Sequence, residues 1–151
     1  MLESLNNYRQ ISNKLHSSAQ PTIDDFKMIK KTGVEIIINL ARVDSPDAII
    51  NEAQVVEENG LHYVHIPVDF KRPDTSDLER FFNTMEQYKD KTTLVHCAYN
   101  WRVSCFIYLY RIIKQGCNVE PAKQDMLAVW QPDKTWQDFI DNCLSNQELL
   151  E

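Results

Sequence analysis

The sequence predicts an α/β fold in which a central, mostly parallel sheet of about four to five strands is flanked by helices. In the middle of the chain, three apolar segments of strand length alternate with three helix-like segments. Parallel strands need a crossover connection, which helices usually provide, so this alternation favours parallel pairing. The length of 151 residues, with no repeat and no low-complexity linker, predicts one domain spanning 1–151.

The first half of the chain carries clear signals for where its helices begin and end. Thr22 can cap a helix together with Asp25, and Gly33 supplies its left-handed end. The next segment, 34–40, contains three consecutive isoleucines, and its lack of polar alternation predicts a strand buried on both faces. A second helix is expected at about 47–59, where another glycine follows it.

The following elements continue the alternation. Residues 61–66 are predicted to form a strand that ends at Pro67. Ser76 and Glu79 have the spacing of a capping box, which predicts a helix extending to about Tyr88.

The second half is predicted to be rich in helices. After a short buried strand at 93–96, the segment 103–114 is apolar on nearly every side, so we expect a helix at the centre of the domain. Two further helices are expected, at about 120–129 and 135–144.

Cys97 lies at the junction of that strand and the central helix, with Arg102 shortly after it. Unpaired N–H groups at a helix N-terminus carry partial positive charge, which favours a thiolate and a bound anion. The planar guanidinium of Arg102 matches two oxygens of a phosphate. Ligands also gather at the carboxyl ends of strands in open sheets. The segment therefore predicts a nucleophile within an anion cradle, and phosphate transfer to sulfur.

Composition narrows the range of partners and cofactors. The net charge of −6 opposes extended binding to nucleic acid or to an anionic membrane, whereas small anions remain possible ligands. Residues 1–10 lack the apolar core of a secretory signal or membrane span, so we expect a cytoplasmic protein. The four cysteines form no CxxC pair, which favours reduced thiols and predicts no metal site; no cofactor is predicted either.

Several motifs together resemble the cysteine-dependent phosphatase superfamily, in particular its small bacterial dual-specificity-phosphatase-like branch. The resemblance extends over about 10–140 and depends on four segments, 19–22, 38–40, 63–68 and 95–98. It implies hydrolysis of a phosphomonoester, on a protein or a small molecule, through a cysteinyl-phosphate. Neither the residues nor the resemblance predicts an oligomeric state.

The resemblance also implies roles for individual residues. Cys97 would be the nucleophile, Arg102 would bind the phosphate and its transition state, and His96 would orient the loop. A loop aspartate would protonate the leaving oxygen and later activate water; Asp69 is the favoured candidate and Asp74 the alternative. The loop's backbone N–H groups would complete the phosphate site, contributed by Ala98, Tyr99, Asn100, Trp101, Arg102 and Val103.

The loop departs from the superfamily's pattern in one respect. Four residues separate Cys97 from Arg102, whereas the usual number is five, and one residue rotates a helical side chain by about 100°. Ser104 keeps the usual spacing of the hydroxyl that assists departure of the thiolate. No glycine is present in the loop, but Asn100 tolerates a positive φ better than most residues.

Alternative functions remain open at this point. The spacing of four residues is common in rhodanese-type sulfurtransferases, although the other motifs of that family are missing. A non-catalytic phosphate-binding regulatory module is the third possibility. Tyr99 and Trp101 could stack on an aromatic leaving group or pack within the protein. Lys71 and Arg72 would add positive charge if their loop covers the cleft, although a solvated loop tip is the simpler interpretation.

Overall fold

A computed structural model describes residues 1–151 and contains a five-stranded sheet in the order β1-β2-β5-β3-β4. β1 is antiparallel to β2, and every other pair is parallel, which confirms the predicted fold class. The strands are β1 (Arg9–Gln10), β2 (Leu15–Ser18), β3 (Ile36–Asn39), β4 (His62–His65) and β5 (Thr93–His96).

Helices cover both faces of this sheet. Ile37 and Leu94 belong to an apolar cluster with residues of α1 and α2, while Ile38 and Val95 belong to the larger cluster formed with α3 to α6. None of the helices combines the length and the apolar character needed to cross a membrane. The helices are α1 (Asp25–Lys31), α2 (Glu52–Glu58), α3 (Thr75–Gln87), α4 (Trp101–Ile113), α5 (Val119–Val129) and α6 (Lys134–Ser145), with 3-10 turns at Leu2–Ser4 and Gln147–Leu149.

The predicted elements are present, with differences at their ends. Thr22 and Asp25 exchange the expected hydrogen bonds at the start of α1. The prediction that Ser76 and Glu79 form the cap of α3 is wrong. Asp74 is the N-cap instead: it has extended backbone angles, and its carboxylate accepts from the Ser76 N–H at 2.9 Å. α2 begins five residues later than expected, and Asp47 there has a φ of 62°, which a helix does not allow.

The register of the sheet brings three segments together at one edge. His96 at the end of β5 pairs with Ser18 of β2 on one side and with Asn39 of β3 on the other. Because these strands are parallel, the loops after their carboxyl ends leave the sheet side by side. Cys97 follows the central strand of the three, so its surroundings are built by distant parts of the chain.

Candidate active site

A cavity of about 490 Å³ opens at this edge of the sheet, and Cys97 lies in its wall. Cys97 is only 1% exposed, so a ligand or solvent molecule reaches it through this cavity. Residues from three loops line the space: part of 42–46 after β3, Asp69–Lys71 after β4, and most of 97–102 after β5. The structure thus brings Cys97, Arg102 and Asp69 to one cavity.

The loop after Cys97 presents a run of unbonded backbone donors. No N–H group from Ala98 to Val103 donates to a backbone carbonyl or to a side chain; the first that does is Ser104 N–H, which donates to Asn100 O at 2.9 Å. These groups lie at the N-terminus of α4, a helix of 13 residues. Donors at such a position attract negative charge. The loop therefore has the backbone of an anion cradle.

Asn100 gives this loop its shape. It has φ 70° and ψ 4°, a left-handed conformation that Asn adopts more readily than most residues. Its side-chain amide donates to the Asn7 carbonyl at 2.8 Å and to the Ser17 hydroxyl at 3.0 Å. The oxygen of the same side-chain amide, Oδ1, is buried with no hydrogen-bond partner. The N-terminal segment consequently holds the side of the loop that faces away from the cavity.

Two further hydrogen bonds join the N-terminal segment to the loop. Asn7 Nδ2 donates to the Tyr99 carbonyl at 3.0 Å, and the Gln20 N–H donates to the Ala98 carbonyl at 3.1 Å. These bonds fix two carbonyl oxygens of the loop to the N-terminal segment, while the N–H groups from Ala98 to Val103 have no acceptor within the protein.

Arg102 extends from the first turn of α4 into the cavity wall and is only 6% exposed. Its Nη1 donates to the Val68 carbonyl at 2.9 Å, and its Nη2 lies 3.4 Å from the Ser45 hydroxyl. The guanidinium carbon lies 5.8 Å from the centre of the Phe70 ring. These contacts hold the guanidinium and leave its other N–H groups for an anion. Val103, which has the spacing usual for the arginine, is buried in the apolar core.

His96 is fully buried directly before Cys97, and its ring contacts the main chain of Cys97. Its Nδ1 lies 3.2 Å from the Cys97 carbonyl oxygen, and its Nε2 lies 2.7 Å from Glu52 Oε2. Glu52 is also buried, and its other oxygen accepts from the Gln20 amide at 2.7 Å. Burial raises the pKa of Glu52, but the charge of His96 and the hydrogen bonds from His96 and Gln20 lower it below its ordinary value overall.

The two candidate aspartates occupy different environments. Asp69 lines the cavity, where its carboxylate accepts from the Lys71 N–H at 2.9 Å and lies 3.4 Å from Arg42 Nη1. Asp74 caps α3 and does not line the cavity. Lys71 contributes to the cavity wall, whereas Arg72 is an exposed loop residue outside it.

The aromatic residues of the loop differ in exposure. Tyr99 lines the cavity and is 43% exposed, so its ring is accessible to a ligand. Trp101 also borders the cavity but stacks on Trp130, with ring centres 4.9 Å apart and planes 5° apart. The Trp130 indole donates to Ser104 Oγ at 3.1 Å, and that hydroxyl donates to the Trp101 carbonyl at 2.9 Å. The hydroxyl of Ser104 is therefore used within the protein.

All four cysteines are free thiols in the structure. Burial raises the pKa of Cys105 to about 12 and that of Cys143 to about 11, so both are protonated at neutral pH. Cys117 is half-buried and lies outside the cavity that Cys97 lines. No group of three or more His, Cys, Asp or Glu side chains is placed to hold a metal ion.

Several residues of the site were missed by the sequence analysis. Arg42, Asp44 and Ser45 line the cavity because they follow β3, and the rule that ligands gather at strand ends could have identified them. Glu52 could have been noticed as a charged residue at helical spacing from two buried valines, Val55 and Val56.

Comparison with known proteins identifies the family and the fold. Residues 4–141 match the family described as DSP-PTPase phosphatase fused to NAD+ kinase. The chain belongs to this family. A DUF442 candidate phosphatase from Shewanella putrefaciens CN-32 is 33% identical, with 97% of this chain and 96% of that chain covered and a TM-score of 0.86. The search of curated proteins finds no match.

More distant members of the fold are also similar. TpbA of P. aeruginosa, in a cysteine-to-serine form in complex with phosphotyrosine, is 17% identical over 95% of this chain and 88% of that chain, with a TM-score of 0.75. Kinase associated phosphatase is 15% identical over 89% and 87% of the two chains, with a TM-score of 0.75. The family and these neighbours support a phosphatase fold of the dual-specificity and protein-tyrosine type.

Proposed function

We propose that the protein hydrolyses a phosphomonoester through a cysteinyl-phosphate intermediate. The observation that carries the proposal is the run of unbonded N–H groups from Ala98 to Val103, which begins directly after Cys97. A phosphoryl group held there would lie against the sulfur, and the same donors would stabilise charge that develops in the transition state. Family membership supports this chemistry over rhodanese-type sulfur transfer.

In the first step, the Cys97 thiolate attacks phosphorus, and the bond from phosphorus to the ester oxygen breaks. Asp69, which lines the same cavity, gives its proton to that oxygen, so the product leaves as a neutral alcohol or phenol. Arg102 binds the equatorial oxygens with its remaining N–H groups.

In the second step, Asp69 is a carboxylate and accepts a proton from water. The water oxygen then forms a bond to phosphorus while the bond to sulfur breaks, which releases inorganic phosphate and restores the thiolate. Arg42 Nη1, 3.4 Å from the Asp69 carboxylate, would hold this side chain at the cavity during both steps.

A second candidate function is phosphate binding without efficient turnover. It is favoured by the position of Val103 in the core and by the use of the Ser104 hydroxyl by Trp101 and Trp130, since that hydroxyl is then not free to assist the thiolate. In this case the cavity would recognise a phosphorylated protein or small molecule as a regulatory ligand.

Hydrolysis of p-nitrophenyl phosphate tests the first candidate. We expect turnover that vanadate inhibits, that Cys97→Ser abolishes, and that the control Cys117→Ser leaves unchanged, because Cys117 lies outside the cavity. The second candidate predicts that phosphate protects Cys97 from alkylation while no phenol is released. Turnover that survives in Cys97→Ser contradicts the proposed mechanism.

A further inference from the structure

The segment that carries Asp69 is held by hydrogen bonds on both sides of that residue. Before it, the Val68 carbonyl accepts from Arg102 Nη1 at 2.9 Å. After it, the Phe70 carbonyl accepts from the indole N–H of Trp136 at 2.9 Å. Both donors belong to buried residues of helices that come later in the chain. The main chain of Asp69 is therefore fixed at each of its two neighbours.

Trp136 is itself held firmly in the first turn of α6. It is fully buried, and its main-chain N–H donates to the carboxylate of the N-cap residue Asp133 at 2.9 Å. Its ring packs against Phe106 and Phe139, with ring centres 5.9 Å and 5.7 Å away. The position of the indole N–H is consequently set by the core of the protein and by the cap of α6.

The ring of Phe70 adds aromatic packing to this hydrogen bond. It lies among three tryptophans, with ring centres 5.9 Å from Trp101 and Trp130 and 6.0 Å from Trp136. Trp101 lies in the loop after Cys97 and borders the cavity. Aromatic pairs at such distances attract each other beyond the burial of their surfaces. Phe70 therefore joins the loop after β4 to the loop that carries the anion cradle.

We propose that Trp136 is a positioning residue, because its hold on Phe70 keeps the Asp69 carboxyl group at the cavity. A side chain that gives and later accepts a proton must lie within hydrogen-bond distance of the reacting oxygen. Holding it there before the substrate binds removes the cost of ordering it during the reaction. Trp136 does not line the cavity, so it acts through Phe70. The inference rests on the proposed function, in which Asp69 is the acid and the base.

Trp136→Phe tests the hydrogen bond, since phenylalanine keeps an aromatic ring in the core but has no N–H to donate. The measurement is the ratio of kcat/KM for p-nitrophenyl phosphate to kcat/KM for phenyl phosphate. Phenolate is the more basic leaving group, so a misplaced acid should slow phenyl phosphate more. We expect the ratio to rise about tenfold in Trp136→Phe, a part of the about 10²–10⁴-fold that a general acid contributes, and at least as much in Asp69→Asn.

The matched control is Ile140→Val, a change at a buried residue of the same helix. A loss of folded protein lowers both kcat/KM values by the same factor, so this control should keep the wild-type ratio. Phe70→Leu, which removes the half-buried ring, should raise the ratio as well. A wild-type ratio in Trp136→Phe, or in Phe70→Leu if the first variant does not fold, overturns the proposal. If Asp69→Asn also keeps the wild-type ratio, Asp69 is not the acid, and the inference fails with that assignment.

Amide exchange measured by NMR provides a second test that does not require turnover. The Lys71 N–H donates to the Asp69 carboxylate at 2.9 Å, and the Arg72 N–H donates to the Asp69 carbonyl at 3.2 Å. We expect both amides to exchange about fivefold faster in Trp136→Phe, the factor that one neutral hydrogen bond contributes, and at the wild-type rate in Ile140→Val. Equal rates in wild type and Trp136→Phe contradict the proposal. Faster exchange in a protein that does not hydrolyse p-nitrophenyl phosphate would count against the proposed function alone.

Discussion

Asn100 offers the sharpest test of how the loop is built, because its backbone and its side chain both contribute. Replacement by alanine removes the hydrogen bonds to Asn7 and Ser17, which contribute about 1 kcal/mol each. Alanine at φ 70° adds a strain of about 1 kcal/mol. We therefore expect Asn100→Ala to lower the free energy of unfolding by about 3 kcal/mol.

The two contributions can be separated by a second variant. Asn100→Gly loses the same hydrogen bonds but tolerates the positive φ, so it should be about 1 kcal/mol more stable than Asn100→Ala. The matched control is Asn146→Ala, because the Asn146 amide also donates to a backbone carbonyl, at 2.9 Å, but its φ is −120°. We expect this control to lose no more than about 1 kcal/mol.

Urea unfolding at pH 7 measures these differences, and a thermal melt should show Asn100→Ala lower by roughly 6–12 °C. The order of stability expected is wild type, then Asn100→Gly, then Asn100→Ala. If glycine proved less stable than alanine at this position, the left-handed backbone would not be the source of strain. If both variants unfolded at the same urea concentration as wild type, the amide hydrogen bonds would not contribute to stability either.

Three further predictions concern stability and turnover. The pKa of Glu52 is lower in the folded protein than its ordinary value of about 4.5. The ionised Glu52 side chain therefore contributes fully to stability above about pH 4.5, and this contribution is lost as pH falls through the pKa of the folded protein. Urea unfolding should accordingly show the stability advantage of wild type over Glu52→Gln shrinking as pH decreases from 6 to 3; a constant difference would contradict this. Arg102→Lys should lower kcat/KM for p-nitrophenyl phosphate about 100-fold, since lysine cannot provide two parallel N–H groups, while Arg72→Lys, outside the cavity, should have no effect. Phe106→Ala should cost about 3–5 kcal/mol in urea unfolding, because this fully buried ring packs against Phe81 with centres 5.6 Å apart; a loss below 1 kcal/mol would argue against this packing.

The sequence predicted most reliably those elements whose side chains are apolar on both sides. β3 (Ile-Ile-Ile-Asn) and β5 (Thr-Leu-Val-His) are fully buried and carry consecutive aliphatic residues, and their alternation with helices was sufficient to predict a parallel sheet. β2 was missed because its sequence, Leu-His-Ser-Ser, is polar although all four residues are buried. Its polar side chains have hydrogen-bond partners that are distant in the sequence; for example, the Asn100 amide donates to the Ser17 hydroxyl. A local pattern carries no information about such partners.

The same distinction applies to the site. Cys97, Arg102 and Asp69 were found because each follows a recognisable strand, and the structure brings them to one cavity. The contacts of Arg42 with Asp69 and of Glu52 with His96 join residues that are distant in the chain, so no local pattern indicated these two contacts. The engagement of Ser104 by Trp130 likewise joins residues 26 positions apart, so spacing alone suggested a free hydroxyl.

The bonds from Asn100 to Asn7 and Ser17 connect residues 93 and 83 positions apart. If only β3, β4 and β5 had formed, these two bonds would be absent, and the loop after Cys97 would lack the contacts that hold Asn100 in place. The loop is held in its observed conformation only when the amino-terminal segment docks against it. The shape of the loop beside Cys97 thus depends on completion of the tertiary structure.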